Sequence, residues 1–174
     1  CASQEFLIGG HMEFGVCFKG ELSPKRLRRL VQQLEAGGFD YCWFYDSHIL
    51  WRDCYVAMAM CIEHTSRIRF GPCVTNPGVR EWSVAASLFA ALALQSEGRF
   101  DIGLGRGDSS LRVMGKRPTN LRSMVEFGQQ VKAMVRGEEV TYPDCPSAVK
   151  FSWAAGHDLP LWIAAYGPKA LKSA

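Results

Sequence analysis

The sequence predicts an α/β protein built on parallel strands, and two observations carry that reading. Short apolar or aromatic runs alternate with stretches of helical periodicity in the order βαβαβαβα(ββ)βα. Alternation of this kind joins parallel strands through right-handed crossovers. The loops richest in glycine and polar side chains follow the carboxyl ends of these strands, the edge where α/β proteins bind ligands. The pattern alone leaves two architectures open: a doubly wound sheet and part of a (β/α)₈ barrel.

Residues 14–18 alternate and form the first strand. Ser23-Pro24 supplies a cap and a proline at the first helical position. Leu27, Leu30, Val31 and Leu34 keep helical spacing to about Glu35, and Gly37-Gly38 ends the helix. Residues 41–45 are the second strand. Asp53 caps a second helix reaching about His64, with Val56, Ala57, Met60 and Cys61 inward. Residues 68–74 are the third strand and 81–95 the third helix, whose Ala85, Ala86, Ala90, Ala91 and Ala93 let it approach a sheet closely. Residues 100–104 are the fourth strand. Pro118 or Thr119 starts a long helix that Gly137 stops. Val140, Tyr142, Val149 and Phe151, around Pro143 and Pro146, suggest a β-hairpin excursion. Residues 161–165 are the fifth strand, and Pro168 opens a last helix. Residues 1–11 read as an expression scar outside the fold, and 12–174 as one partial barrel domain.

The 174 residues suffice for one well-cored domain. With 48% hydrophobic and 21% charged residues the chain is globular. A net charge of +3, scattered along the chain, argues against nucleic acid or an anionic membrane as partner. Lys25, Arg26, Arg28 and Arg29 share one helix and read as a solvated face. No apolar run is long enough to span a bilayer. Seven cysteines without a Cys-x-x-Cys pair favour reduced thiols and a cytoplasmic location. The four histidines are scattered and no carboxylate or thiol pair has ligand spacing, so no metal site is expected.

Four loops carry chemistry. Asp46-Ser47-His48 puts an acid and an imidazole after the second strand, where they bind or protonate a ligand; capping of a turn is the plain alternative. Cys73-Val74-Thr75-Asn76-Pro77 offers side-chain donors and acceptors after the third strand, against a simple Asn-Pro turn. Gly103-Leu104-Gly105-Arg106-Gly107-Asp108-Ser109-Ser110 runs from the end of the fourth. It lacks the spacing of the dinucleotide fingerprint and the Lys of a P-loop. Its backbone still suits a planar or anionic ligand, with Arg106 and Asp108 as polar handles. Ala164-Ala165-Tyr166-Gly167-Pro168-Lys169 ends the fifth strand, either as a phosphate cradle or as an ordinary strand-to-helix turn. Each plain reading stands singly. Four such loops on one edge point to one site.

The segments EAGGFDYCWFYD, IRFGPCVTNP, GRFDIGLGRGDS, RGEE and LPLWIAAYGPKAL resemble, in order, the bacterial-luciferase-like flavin and deazaflavin oxidoreductases. The similarity is to the F420-dependent reductase branch, that of methylenetetrahydromethanopterin reductase. The resemblance implies a (β/α)₈ TIM-barrel fold, here truncated to about the first five β/α units. It implies F420, or alternatively FMN, at the carboxyl-terminal face and hydride transfer to or from a small organic substrate. A bulge in strand three, often with a non-prolyl cis peptide, would fall at Cys73-Val74. Asp46 and His48 match the acid and histidine near the ring, although Ser47 separates them here. Thr75, Asn76, Gly105, Arg106, Gly107 and Asp108 would line the ring and its side chain, and Gly167 and Lys169 would lie near the phosphate. A half-barrel leaves a sheet edge open. That implies self-association over the edge and, as an alternative function, a non-catalytic module that holds a flavin-type ligand without turnover.

Overall fold

The strand ladder decides between the two architectures. In the computed structural model, which describes residues 12–142 and 146–174, β1 (Gly15–Phe18), β2 (Tyr41–Phe44) and β3 (Arg69–Pro72) pair in parallel in that order. β4 (Ile102–Leu104) pairs in parallel with β7 (Leu161–Ile163). Parallel bridges Phe70↔Phe100 and Thr75↔Leu104 join the two ladders. Neighbouring strands therefore follow chain order throughout. A doubly wound sheet reverses its order at a switch point, whereas a barrel does not, so this is the strand order of a (β/α)₈ barrel. A small antiparallel pair, β5 (Val140–Thr141) with β6 (Ala148–Val149), forms the expected excursion. Residues 143–145, between these two strands in the chain, and residues 1–11 lie outside the described residues.

Helices cover one face of the sheet. α1 (Pro24–Ala36), α2 (Cys54–Ile62), α3 (Trp82–Gln95) and α5 (Leu121–Val135) pack there, with α3 against α5. Outward-pointing Cys42, Phe44, Phe70, Ile102 and Leu104 meet Leu27, Val31, Met58, Phe89 and Val131 in one buried core. The opposite face carries Tyr41 stacked on Trp43, with Trp162 edge-on to both. No helix among the described residues is long and apolar enough to cross a membrane.

Several expectations shift. Val56 does not point inward; it is 72% exposed, and α2 buries Cys54, Tyr55, Met58, Cys61 and Ile62 instead. This helix is apolar nearly all round, so its sequence offers no stripe to phase. Its start is set by Asp53, whose side chain accepts from the amides of Tyr55 and Val56. Ala91 is exposed, while Ala85, Ala86, Ala90 and Ala93 face the core. The long helix begins at Leu121, not at Pro118 or Thr119, because Asn120 caps it through the Ser123 amide. Thr119 is held back by a reciprocal clasp with Arg106. The glycine-rich segment is not all loop: it closes into a short helix, α4 (Asp108–Arg112).

Candidate functional site

The loops after β2, β3, β4 and β7 converge on a cleft of about 820 Å³. Asp46 enters from β2, Cys73 and Val74 from β3, Gly105, Arg106, Gly107 and Asp108 from β4, and Gly167 and Lys169 from β7, just before α6 (Pro168–Ser173). The peptide between Cys73 and Val74 is cis. Pairing of β3 with β2 stops at Pro72, and the parallel bridging to the fourth strand that holds at Phe70↔Phe100 resumes at Thr75↔Leu104. Cys73 and Val74 are the bulge between the two.

Thr75 and Asn76 lie behind this wall and are fully buried. Thr75 locks the third and fourth loops together: its amide donates to the Gly103 carbonyl at 2.9 Å, and its carbonyl accepts from the Gly105 amide at 2.8 Å. Asn76 donates from Nδ2 to Ser110 Oγ at 2.9 Å and accepts the Gly78 amide at 3.1 Å. Gly107 has φ +82°, and a Cβ there would stand 2.5 Å from Asn76 Oδ1. Only glycine lets the fourth loop sit that close to Asn76. His48 is exposed and does not line the cleft. Ser47 does, and its carbonyl accepts the amides of Leu50 and Trp51, a turn that carries His48 away.

Asp46 is the buried acid of the site, only 4% exposed. Its Oδ2 accepts from Tyr55 Oη at 2.8 Å and from Thr75 Oγ1 at 2.8 Å. Oδ1 carries no hydrogen bond among the described residues. Burial, reinforced by the Asp46 charge, pushes the Tyr55 phenol well above its ordinary range, so Tyr55 remains a donor. The Arg80 guanidinium lies 4.6 Å over the Tyr55 ring and donates to Asp53 Oδ2 at 2.9 Å. This stack fixes the phenol that fixes the acid. Tyr55 was not foreseen from sequence. It sits in an apolar helix, and its only signal was a tyrosine one residue from the Asp53 cap of that helix, the helix that follows the Asp46 loop.

The rim is charged. Arg106 and Lys169 are exposed. Asp108 is turned outward to Arg112, 3.2 Å away. Tyr45, Ser110, Asn120, Ala164 and Tyr166 also line the cleft.

The family described as Luciferase-like monooxygenase matches residues 12–174. Among curated proteins, the chain is 30% identical over 171 residues to the 5,10-methylenetetrahydromethanopterin reductase of Archaeoglobus fulgidus, covering 94% of this chain and 50% of that one. It is 26% identical over 161 residues to the F420-dependent hydroxymycolic acid dehydrogenase of Mycobacterium tuberculosis, covering 83% and 45%. Among solved structures, the coenzyme F420-dependent tetrahydromethanopterin reductase of Methanopyrus kandleri superposes with a TM-score of 0.81 at 24% identity, over 94% of this chain and 53% of that one. The oxygenating constituent of 3,6-diketocamphane monooxygenase from Pseudomonas putida, solved with FMN, gives 0.68 at 17% identity, over 87% and 51%. The chain spans about half the length of the curated relatives it matches. Its sequential parallel strands and the match from residue 12 to residue 174 place it in one family: the chain belongs to the luciferase-like monooxygenases.

Proposed function

We propose that the cleft holds the deazaflavin F420 and that the protein takes part in hydride transfer between that cofactor and a small organic substrate. The observation that carries this reading is the convergence of loops from four successive strands on one cleft with a single buried carboxylate. The residues fit such a group. A volume of about 820 Å³ lies within the usual range for small-molecule sites. Val74, Gly105 and Ala164 make a wall with little side chain, suited to a flat ring. Gly105 is packed so tightly that a Cβ would come 2.5 Å from Val74 Cγ2. Arg106 and Lys169 supply positive charge at the rim for an anionic tail. FMN shares the ring shape. The F420-dependent names of the curated relatives favour the deazaflavin.

When bound, the cofactor would supply a hydride acceptor and donor. The protein's own part falls to Asp46. Tyr55 and Thr75 fix Oδ2 and leave Oδ1 to accept a hydrogen bond or a proton at the cleft. The test is a fluorescence titration with F420 and, separately, FMN, followed by absorbance assays of hydride exchange with pterin-type substrates. Saturable binding of F420 with turnover is the expected result. Absence of binding by both cofactors overturns the reading.

One observation favours a second reading. The inner sheet face is open along a groove of about 420 Å³, and Trp162 there is 47% exposed. A half-barrel that self-associates over this face and holds the ligand without turnover would show binding, no hydride exchange and a dimeric solution mass.

A further inference from the structure

Two of the polar side chains that line the cleft are buried: Asp46 at 4% exposure and Ser110 at 3%. The hydrogen bonds around Ser110 fix what its hydroxyl can do. Asn76 Oδ1 accepts the Gly78 amide, a group that only donates, so Nδ2 is the atom turned to Ser110. A side-chain amide nitrogen also only donates. Ser110 Oγ is therefore the acceptor of that bond, and its own hydrogen must point elsewhere.

A serine in a helix commonly returns this hydrogen to a carbonyl three or four residues back. Both of those carbonyls are committed here. Gly107 accepts the Leu111 amide at 3.0 Å. Arg106 accepts the Thr119 amide at 2.9 Å and the Thr119 hydroxyl at 3.0 Å, which fills the two lone pairs of its oxygen. Among the described residues no acceptor takes the Ser110 hydrogen. The clasp between Arg106 and Thr119 thus keeps Ser110 from bonding back to its own backbone.

We propose that Ser110 is a ligand-binding donor: its hydroxyl, oriented by Asn76 and kept free by Thr119, donates to an oxygen acceptor of the molecule in the cleft. The inference rests on the reading that the cleft takes a flavin-type cofactor, and it adds a polarity to that site. The loop after β2 offers an acceptor, Asp46 Oδ1, and the loop after β4 offers a donor, Ser110 Oγ. The donor is the side chain alone; the backbone amides of the five-residue α4 have no part in it. A ring carbonyl and a tail phosphate both present the oxygen that such a donor recognises.

The test measures affinity by equilibrium dialysis, without turnover. The ligands are lumiflavin (the ring alone), FMN (ring and phosphate), F420, and phenazine, which has three flat fused rings and no oxygen. Ser110→Ala is expected to weaken binding of the oxygen-bearing ligands about fivefold to tenfold, the worth of one net hydrogen bond, and to leave phenazine unchanged. A loss that includes lumiflavin assigns the donor to a ring carbonyl. A loss with FMN but not with lumiflavin assigns it to the phosphate. Thr119→Val frees a lone pair on the Arg106 carbonyl for Ser110. It should weaken FMN binding less than Ser110→Ala does, and add nothing in the double variant, because the two changes act on one hydrogen. Ser110→Ala leaves the buried Asn76 amide unpaired. If that variant does not fold, Ser110→Cys takes its place, since a thiol still accepts weakly but is a much poorer donor. Unchanged affinity for lumiflavin, FMN and F420 in the Ser110 variant, or an equal loss for phenazine, overturns the inference and leaves the proposed function standing. Wild type that binds none of the three oxygen-bearing ligands overturns both.

Discussion

Asp46 and Asp101 are both buried aspartates, one at each end of the parallel sheet. Asp101 precedes β4, at the amino end. Its carboxylate accepts from Arg69 Nε at 2.8 Å, from Arg69 Nη2, and from Trp162 Nε1 at 2.7 Å. Residues on β3 and β7 thus occupy both oxygens, and the acid stitches three strands together. Asp46 follows β2, at the carboxyl end. Its hydrogen-bonding partners are two neutral hydroxyls on one oxygen, and the other oxygen is left to the cleft. A guanidinium partner neutralises a carboxylate and uses up its lone pairs. Hydroxyls orient a carboxylate and leave its charge in place. In a barrel the amino end serves stability and the carboxyl end serves chemistry. The hydrogen bonding of these two acids fits that division.

Substitution separates the roles. Asp101→Ala leaves the Arg69 guanidinium and the Trp162 indole without their acceptor. Breaking a buried pair costs about 3–5 kcal/mol. Arg69 is partly exposed, so about 2–3 kcal/mol is expected, read as a lower urea midpoint, with ligand affinity of the folded protein unchanged. Asp46→Asn is expected to do the reverse. Hydride exchange falls about 100-fold, while stability moves by no more than about 1 kcal/mol. Equal stability losses in the two variants, with turnover intact in Asp46→Asn, would break the comparison.

Much of this division was legible in the sequence. The 3.6-residue and strand-length patterns located every major helix and strand of the sheet, because helix caps and glycine stops mark those boundaries locally. The cleft loops were legible for the same reason: Asp46, Cys73-Val74 and Gly105–Asp108 are strand-end segments. What lay hidden depends on contacts between distant segments. Tyr55 reaches Asp46 only because α2 turns a face that an all-apolar helix does not advertise. The inward phase assigned to Val56 failed for that reason. Thr75 and Asn76 were expected on the cleft wall, but the bulge at Cys73-Val74 carries them behind it. Asp101, inside the expected fourth strand, carries no signal of its own in the sequence, because strand register alone brings Arg69 and Trp162 to it.

Tyr55→Phe probes the support of Asp46. The variant keeps the ring under Arg80 and removes one of two donors to Oδ2. Loss of one hydrogen bond to a charged acceptor costs about 1–2 kcal/mol, so hydride exchange is expected to fall about tenfold, with a smaller change in KM. Thr75→Val removes the other donor. The double variant should lose more than the product of the two single effects, because the first deletion leaves the second donor alone to hold the acid. Simple multiplicativity would show that the two hydroxyls act on Asp46 independently.

The smallest expected effect belongs to Glu35, a third carboxylate at the amino end of the sheet. Burial draws its carboxyl upward, but the amides of Ile68, Arg67 and Ser66 together, with help from Arg99, outweigh burial and hold it below its ordinary range. All three amides donate to Oε1, at 2.9, 2.6 and 2.9 Å respectively. A carboxyl held low in the folded state binds its proton less readily than in the unfolded chain. Its contribution is therefore complete above the unfolded value of about 4.5 and is lost as pH falls through the lower folded value. Glu35→Gln keeps an acceptor for the amides and removes the charge. The gap in urea midpoint between wild type and variant should be small at pH 7, since the side chain is only partly buried, and should shrink as pH falls below about 4.5. A gap that stays constant across that window would show that Glu35 acts by shape alone, as Asp101 does not.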